Sequence, residues 1–295
     1  MPASLRVAFQ SELGAFSEEA IQQLWGGDAD TVPQREFRDV AAVLAGGEVD
    51  RAVLPIENTI VGSVQAAHEV IDATQGIHAI AETVVAVHHC LLGPPGAQLA
   101  QARDVFVHAI ALAQCRDFFR SHPQLTVHPV YDTAAAALDV ANLADPQFAA
   151  VASRRSAERY KLAVVAADIE DRPDNQTRFL AFARAPQSLP AGTPARTMLL
   201  LTARDVPGAL LNALAPLASH GVNVRRIETR PTGEPWSYRF FVEFDHQAGD
   251  QDAEAVVREV AERAHEVRLL GTYPRWGAGR RGSIGWKSGA HPDLG

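Results

Sequence analysis

From Leu5 to Ala185 short apolar runs alternate with amphipathic, alanine-rich stretches, the pattern of an α/β domain built from βα units. Leu5-Phe9 reads as a strand, then comes the loop Gln10-Ala15 and a helix opening near Ser17, where Glu18 and Glu19 suit the positive end of the helix dipole. Asp39-Leu44 reads as a helix stopped by Gly46-Gly47. Arg51-Ile56 reads as a buried strand ending at Glu57-Asn58, with a helix restarting at Ser63 beyond the hinge Gly62. Gly76-Leu92 forms two apolar strand segments around Glu82-Thr83, and Gly93-Pro94-Pro95-Gly96 marks the crossover to a second lobe. There Val105-His108, Thr126-Val130 and Phe148-Ala152 read as strands, with helices over 109–119 and 133–142 between them, and Asn175-Ala183 closes the domain. A chain that crosses between two lobes and returns leaves its ligand site in the cleft between them.

The proline-rich segment 186–195 predicts a linker, and a second domain follows over 196–275 in the order βαββαβ, a ferredoxin-like fold. Its strands are Arg196-Ala203, Val222-Thr229, Trp236-Phe244 and Val267-Thr272, and its helices Gly208-Ser219 and Ala253-Ala264. Residues 276–295, rich in Gly, Arg and Ser, have too little apolar content to pack and predict a disordered tail.

Composition narrows the function without naming it. A net charge of -8 with no basic stripe before the last twenty residues argues against nucleic acid as a partner. No apolar run approaches the roughly 18 residues a membrane helix needs. The start MPASLRVAF passes directly into strand-like sequence, so a cytoplasmic location is expected. Two cysteines, Cys90 and Cys115, fall in no ligand spacing, and the eleven histidines include only the adjacent pair His88-His89, which on a strand face opposite sides. No metal site, dinucleotide fingerprint or phosphate loop is predicted.

Three constellations carry candidate chemistry. At Gly14-Ala15-Phe16-Ser17 a strand-to-helix junction offers backbone N–H groups to an anion, with Ser17 either a ligand contact or a plain N-cap. Leu54-Pro55-Ile56-Glu57-Asn58, followed by Gly62-Ser63, delivers a carboxylate and an amide from a buried strand and then another helix start. Asn175-Gln176-Thr177-Arg178-Phe179 sets a polar triplet and a guanidinium at the mouth of the closing strand, and Arg suits a carboxylate.

Taken together and in this order, the sets resemble the prephenate dehydratases over residues 5 to 275. The PIEN motif stands at Pro55-Asn58, GSV at Gly62-Val64, TRF at Thr177-Phe179, and the effector motifs at Gly208-Ala209-Leu210 and Glu228-Thr229-Arg230-Pro231. The resemblance implies a bilobal catalytic domain of the type II periplasmic-binding-protein kind plus a C-terminal ACT domain. It implies cofactor-free conversion of prephenate to phenylpyruvate and feedback by L-phenylalanine. By similarity Thr177, Asn58 and Glu57 are catalytic, and Ala15, Phe16, Ser17, Thr59, Gly62, Ser63, His108, Arg178 and Phe179 bind substrate. The two effector motifs with Asn223 would bind phenylalanine. Where the family has Ser-His-Pro-Gln, this chain has Val107-His108-Ala109-Ile110, so only His108 carries over. An ACT sheet must manage its uncovered face and edges, which predicts a homodimer or homotetramer. Arogenate dehydration and plain small-acid binding are the alternative functions.

Overall fold

The computed structural model describes residues 4–277; of the predicted tail, 278–295 lie outside them. Three sheets organise the chain. The first runs in the order Ala29–Gln34, Leu5–Gln10, Arg51–Asn58, Gln176–Ala183, His78–Ala86, with the short strand Gly62–Ser63 paired to Arg51–Asn58. Leu5–Gln10 pairs in parallel with both neighbours, whereas Gln176–Ala183 is antiparallel to both of its own. The second sheet runs Ala163–Ala166, Cys90–Gly93, Phe148–Ala152, Asp104–His108, Thr126–Val130.

The chain passes from the first sheet to the second at Val87-His88-His89, not at the Gly-Pro cluster that the sequence suggests, and returns through residues 167–175. Pro94 to Gly96 lie instead in a turn after Cys90–Gly93, a strand of the second sheet. The two crossing segments are bonded together: Val87 N–H donates to Asn175 O at 2.8 Å and Ile169 N–H to His89 O at 3.0 Å. On the opposite side the loop before Phe16–Trp25 docks on the helix Arg154–Tyr160. Ser153 Oγ and Ser156 Oγ both donate to Gly14 O, at 2.6 and 3.0 Å. At Gly14 (φ +93°) an added Cβ would meet Ser156 Cα at 2.9 Å, so only glycine fits that approach.

The third sheet, order Val224–Pro231, Tyr238–Gln247, Pro194–Thr202, Glu266–Pro274, is antiparallel throughout, with Ala209–Ser219 and Gln251–Arg263 as its helices. Both of its faces are buried, which accounts for the unbroken apolar run Met198-Leu199-Leu200-Leu201. Leu199, Leu201 and Val242 pack beneath the helices, while Met198, Leu200, Phe241 and Tyr273 share one core with Leu54, Ile56, Leu180 and Phe182 of the first lobe. The face that the sequence argument gives to a second copy is therefore covered within the chain. No helix among the described residues is long and apolar enough to cross a membrane.

Candidate active site

A cleft of about 450 Å³ opens between the lobes. Strand alternation decides which motif residues reach it. Asn58, Thr177 and Phe179 line its floor, and Ala15, Phe16, Ser17, Gly62, Ser63 and His108 line its walls. Glu57 and Arg178, one position away, point through the sheet to the other side. Arg178 Nε donates to Glu82 at 2.8 Å, and its Nη2 to Glu243 at 2.5 Å and to the Tyr273 hydroxyl at 2.8 Å. Glu57 lies 3.4 Å from Arg226. The expected catalytic role of Glu57 and substrate contact of Arg178 are thus corrected, because both side chains bind the domain of the third sheet. Thr59 is also turned away: its Oγ1 donates to Asp174 O at 3.0 Å and accepts from Gln176 N–H at 2.9 Å.

The floor is a neutral, directed network. Asn58 Oδ1 accepts the backbone N–H groups of Ile60 and Val61 at 2.9 and 3.0 Å, which turns its amide nitrogen toward Thr177 Oγ1 (3.0 Å) and Asn175 Oδ1 (2.8 Å). Asn175 in turn donates to Gln114 Oε1 at 3.0 Å, and His89 Nε2 donates to the same oxygen at 2.8 Å. Thr177 Oγ1 already accepts a hydrogen bond, so its own proton is available to a ligand.

No Arg or Lys lines this cleft among the described residues. The helices Phe16–Trp25 and Gln65–Ala73 both begin at its wall, and neither has a side-chain cap, so their first N–H groups are presented to an anion. Ala15, not Ser17, is the N-cap of the first. His108 caps the short helix Ala109–Gln114 by accepting from Ile110 N–H at 3.2 Å. Burial pushes its imidazole below the usual range against the opposing pull of Asp132, and burial lowers His89 likewise. Cys115, pushed up to about 12 by burial and by Glu170 and Asp171, is no thiolate. His88, Asp168 and Glu170 bring donor atoms within 4.8 Å of one another on the crossover, but Glu170 there bonds His88 at 2.7 Å and the His89 N–H at 2.8 Å.

Behind the floor lies a charged network. Glu243, fully buried, is held below the usual carboxylate range: burial alone would raise it, but Arg178, Arg226 and Arg196 outweigh that. The helix Gln65–Ala73 is gripped along its length from the domain of the third sheet: Arg226 donates to His68 Nε2 at 3.0 Å, Arg230 to Glu69 at 3.0 Å and Arg268 to Ile71 O at 2.6 Å, while Arg239 pairs with Asp72. Ser63 Oγ donates to Glu228 at 2.6 Å and accepts from Arg226 at 2.6 Å, so its hydroxyl serves this junction rather than the cleft. Glu228 and Arg230 are therefore committed to the first lobe, which corrects the expectation that Glu228 is free for an effector's ammonium group. Gly208 (φ +83°) is the N-cap of Ala209–Ser219, Leu210 packs into that domain's core, and Asn223 O accepts from Asp245 N–H at 3.4 Å. Thr229 and Pro231 are exposed.

Gln114 and His89 are the residues that sequence reasoning missed, and Asn175, though inside the candidate constellation, received no role of its own. The adjacent histidines carried a usable signal, since alternation turns one of them inward; Gln114 sits in an undistinguished helix.

Fold and cleft define a bilobal small-acid site joined to a regulatory-type sheet domain. The prephenate dehydratase family model matches residues 7–187 and the ACT domain model residues 197–262. The chain belongs to the prephenate dehydratase family. It is 36% identical over 282 residues to an arogenate dehydratase/prephenate dehydratase of Arabidopsis thaliana, covering 92% of this chain and 73% of that protein. Among solved structures, a prephenate dehydratase in complex with L-Phe from Arthrobacter aurescens is similar with a TM-score of 0.85 and 31% identity, covering 95% of this chain and 92% of that one. A structure described as a novel type of quorum quenching acylase is similar with a TM-score of 0.83 and 32% identity, covering 91% of this chain and 97% of that one.

Proposed function

We propose that the protein converts prephenate to phenylpyruvate, carbon dioxide and water, one proton being consumed per turnover, and is regulated by L-phenylalanine through the ACT domain. The observation that carries the reaction is the Thr177 hydroxyl, which accepts from Asn58 and keeps its own proton to donate into a cleft lined by no Arg or Lys among the described residues. Prephenate loses a ring hydroxyl and a ring carboxylate as the aromatic ring forms. Thr177 donates a hydrogen bond to the departing oxygen, on which charge grows in the transition state. The carboxylate that leaves as CO₂ loses its charge, and an arginine paired to it would stabilise the ground state more than the transition state. The uncapped starts of Phe16–Trp25 and Gln65–Ala73 hold the carboxylate that remains.

Phenylalanine acts by shifting the ACT sheet, and the helix Gln65–Ala73 delivers that shift to the cleft wall. The exposed apolar side chains Leu211, Ile227 and Tyr238 support assembly into a homodimer or homotetramer. We place the protein in the cytoplasm. Arogenate, which carries an amino-acid side chain in place of the pyruvyl group, is the second substrate the cleft accommodates, and the Arabidopsis relative bears both names. Turnover of prephenate and arogenate is measured side by side for wild type and Thr177→Val. The reading requires ring-forming dehydration of at least one of the two, lost in the variant; a wild type inert toward both overturns it.

A further inference from the structure

We infer that Asn175 is a positioning residue for this reaction: it touches no ligand but fixes the direction in which the Thr177 proton points. The inference rests on the dehydratase reading above. Asn175 is completely buried, does not line the cleft, and sits on the return crossover between the lobes.

The direction of the network is forced from one end. Two backbone N–H groups fix Asn58 Oδ1, so the Asn58 amide nitrogen must be what faces Thr177 and Asn175. The Asn175 atom that meets it at 2.8 Å must accept, which leaves the Asn175 nitrogen to face Gln114 at 3.0 Å. That Gln114 atom must accept as well, and His89 Nε2 at 2.8 Å must then be a donor. Each amide has one workable orientation. If Asn175 is removed, Asn58 loses the partner that holds its amide at the angle serving Thr177. One N–H of Asn58 is then left without its acceptor, and Gln114 Oε1 keeps only His89.

The chain also joins the lobes. Gln114 belongs to the second lobe, His89 to the outgoing crossover, and Asn58 and Thr177 to the first lobe. Relative movement of the lobes is thereby read at the Thr177 hydroxyl through Asn175.

The test is a pair of variants. Asn175→Leu keeps the branched shape, though with larger volume, and removes both hydrogen bonds; kcat falls roughly 10–10²-fold with KM little changed, as for a misplaced donor. Asn175→Asp has the same shape. Protonated, its carboxyl accepts from Asn58 and donates to Gln114 as the amide does; ionised, it sets an acceptor against Gln114 Oε1. Burial raises the pKa of such a carboxyl. Its titratable surroundings are His89 behind Gln114, Glu170 bonded to the His89 backbone, and the exposed Arg172–Asp174 pair, all of which the wild type shares. The expected result is kcat near wild type at low pH and falling as pH rises, over an interval in which the wild-type profile shows no such fall. If Asn175→Leu does not fold, the Asn175→Asp profile decides alone. A profile for Asn175→Asp parallel to wild type overturns the inference, whereas a wild type inert toward both prephenate and arogenate removes the proposed function and this role with it.

Discussion

The strands Arg51–Asn58 and Gln176–Ala183 have two faces that carry opposite kinds of chemistry. Toward the cleft they present amides and a hydroxyl; toward the ACT domain, one residue over, they present Glu57 and Arg178 to Arg226, Glu243 and Tyr273. The neutral face suits a reaction in which a carboxylate charge disappears, because fixed cations there would favour the state that must be left. The charged face suits docking: an arginine meeting two carboxylates and a tyrosine hydroxyl has few alternative partners and fixes one register of domain on domain. A single motif, Thr177-Arg178-Phe179, thus divides its residues between the cleft and the domain junction. Four substitutions test that division.

The cleft face should show the largest effect. Thr177→Val removes the donor and keeps the shape, and a lost positioned donor lowers turnover roughly 10²–10⁴-fold. The melting temperature should be nearly unchanged. Turnover at saturating prephenate within a small factor of wild type would remove Thr177 from the chemistry.

Next comes the charged face. Arg178→Leu leaves Glu243 buried with Arg196 at 4.0 Å and Arg226 at 3.4 Å as its remaining cations. Breaking a buried ion pair from one side costs about 3–5 kcal/mol. Denaturant unfolding should report that loss, while the folded fraction keeps its KM. A variant of wild-type stability whose KM rises would return Arg178 to the cleft.

These two variants also mark how far the sequence could be read. Periodicity and turn residues gave both lobes and the βαββαβ order, because each of those signals is local. Facing is less local. Neighbours in a motif look like partners in one site, yet the period of two sends Thr177 and Arg178 to opposite sides, and only the packing partner shows which side is the cleft. The edge strand Ala29–Gln34 was illegible for another reason: it is polar and contains Pro33, and only parallel pairing to Leu5–Gln10 makes it a strand. The helix expected over 109–119 breaks at Cys115 because Asp171, far along the chain, accepts from the N–H groups of Arg116 and Asp117, both at 3.0 Å. The Gln114 to Thr177 network was hidden likewise, as its members come from four separate segments.

The junction between the faces should show a smaller effect, confined to regulation. Glu228→Gln weakens the hold on Ser63 without altering the cleft floor. Effector couplings are typically about 1–3 kcal/mol, or roughly 5–150-fold in affinity. Phenylalanine should still bind the variant by calorimetry yet shift substrate affinity less than in wild type. Equal inhibition of both would show that coupling runs by another route.

The smallest effect concerns acid. Burial lowers His89, outweighing the Gln114 hydrogen bond and the nearby Glu170 charge, and burial also lowers His68 and His108. Each therefore takes up a proton less readily in the folded protein than in the unfolded chain, where the ordinary value is about 6.5. The unfolded state therefore binds more protons below that pH, so the stability these residues contribute is full above about pH 6.5 and is lost as pH falls toward their folded values. Carboxylates such as Glu243 begin to matter only lower, near the ordinary glutamate value of about 4.3. The interval from about pH 6.5 to 5 therefore carries the histidine loss, opposed by Glu19, whose carboxyl burial raises. His89→Gln keeps an N–H to offer Gln114 Oε1 but cannot titrate, so the fall of melting temperature across that interval should become shallower without vanishing, His68 and His108 remaining. A slope equal to wild type would mean that His89 takes up its proton as readily folded as unfolded, and would make the cleft face less dry than the comparison with the charged face requires.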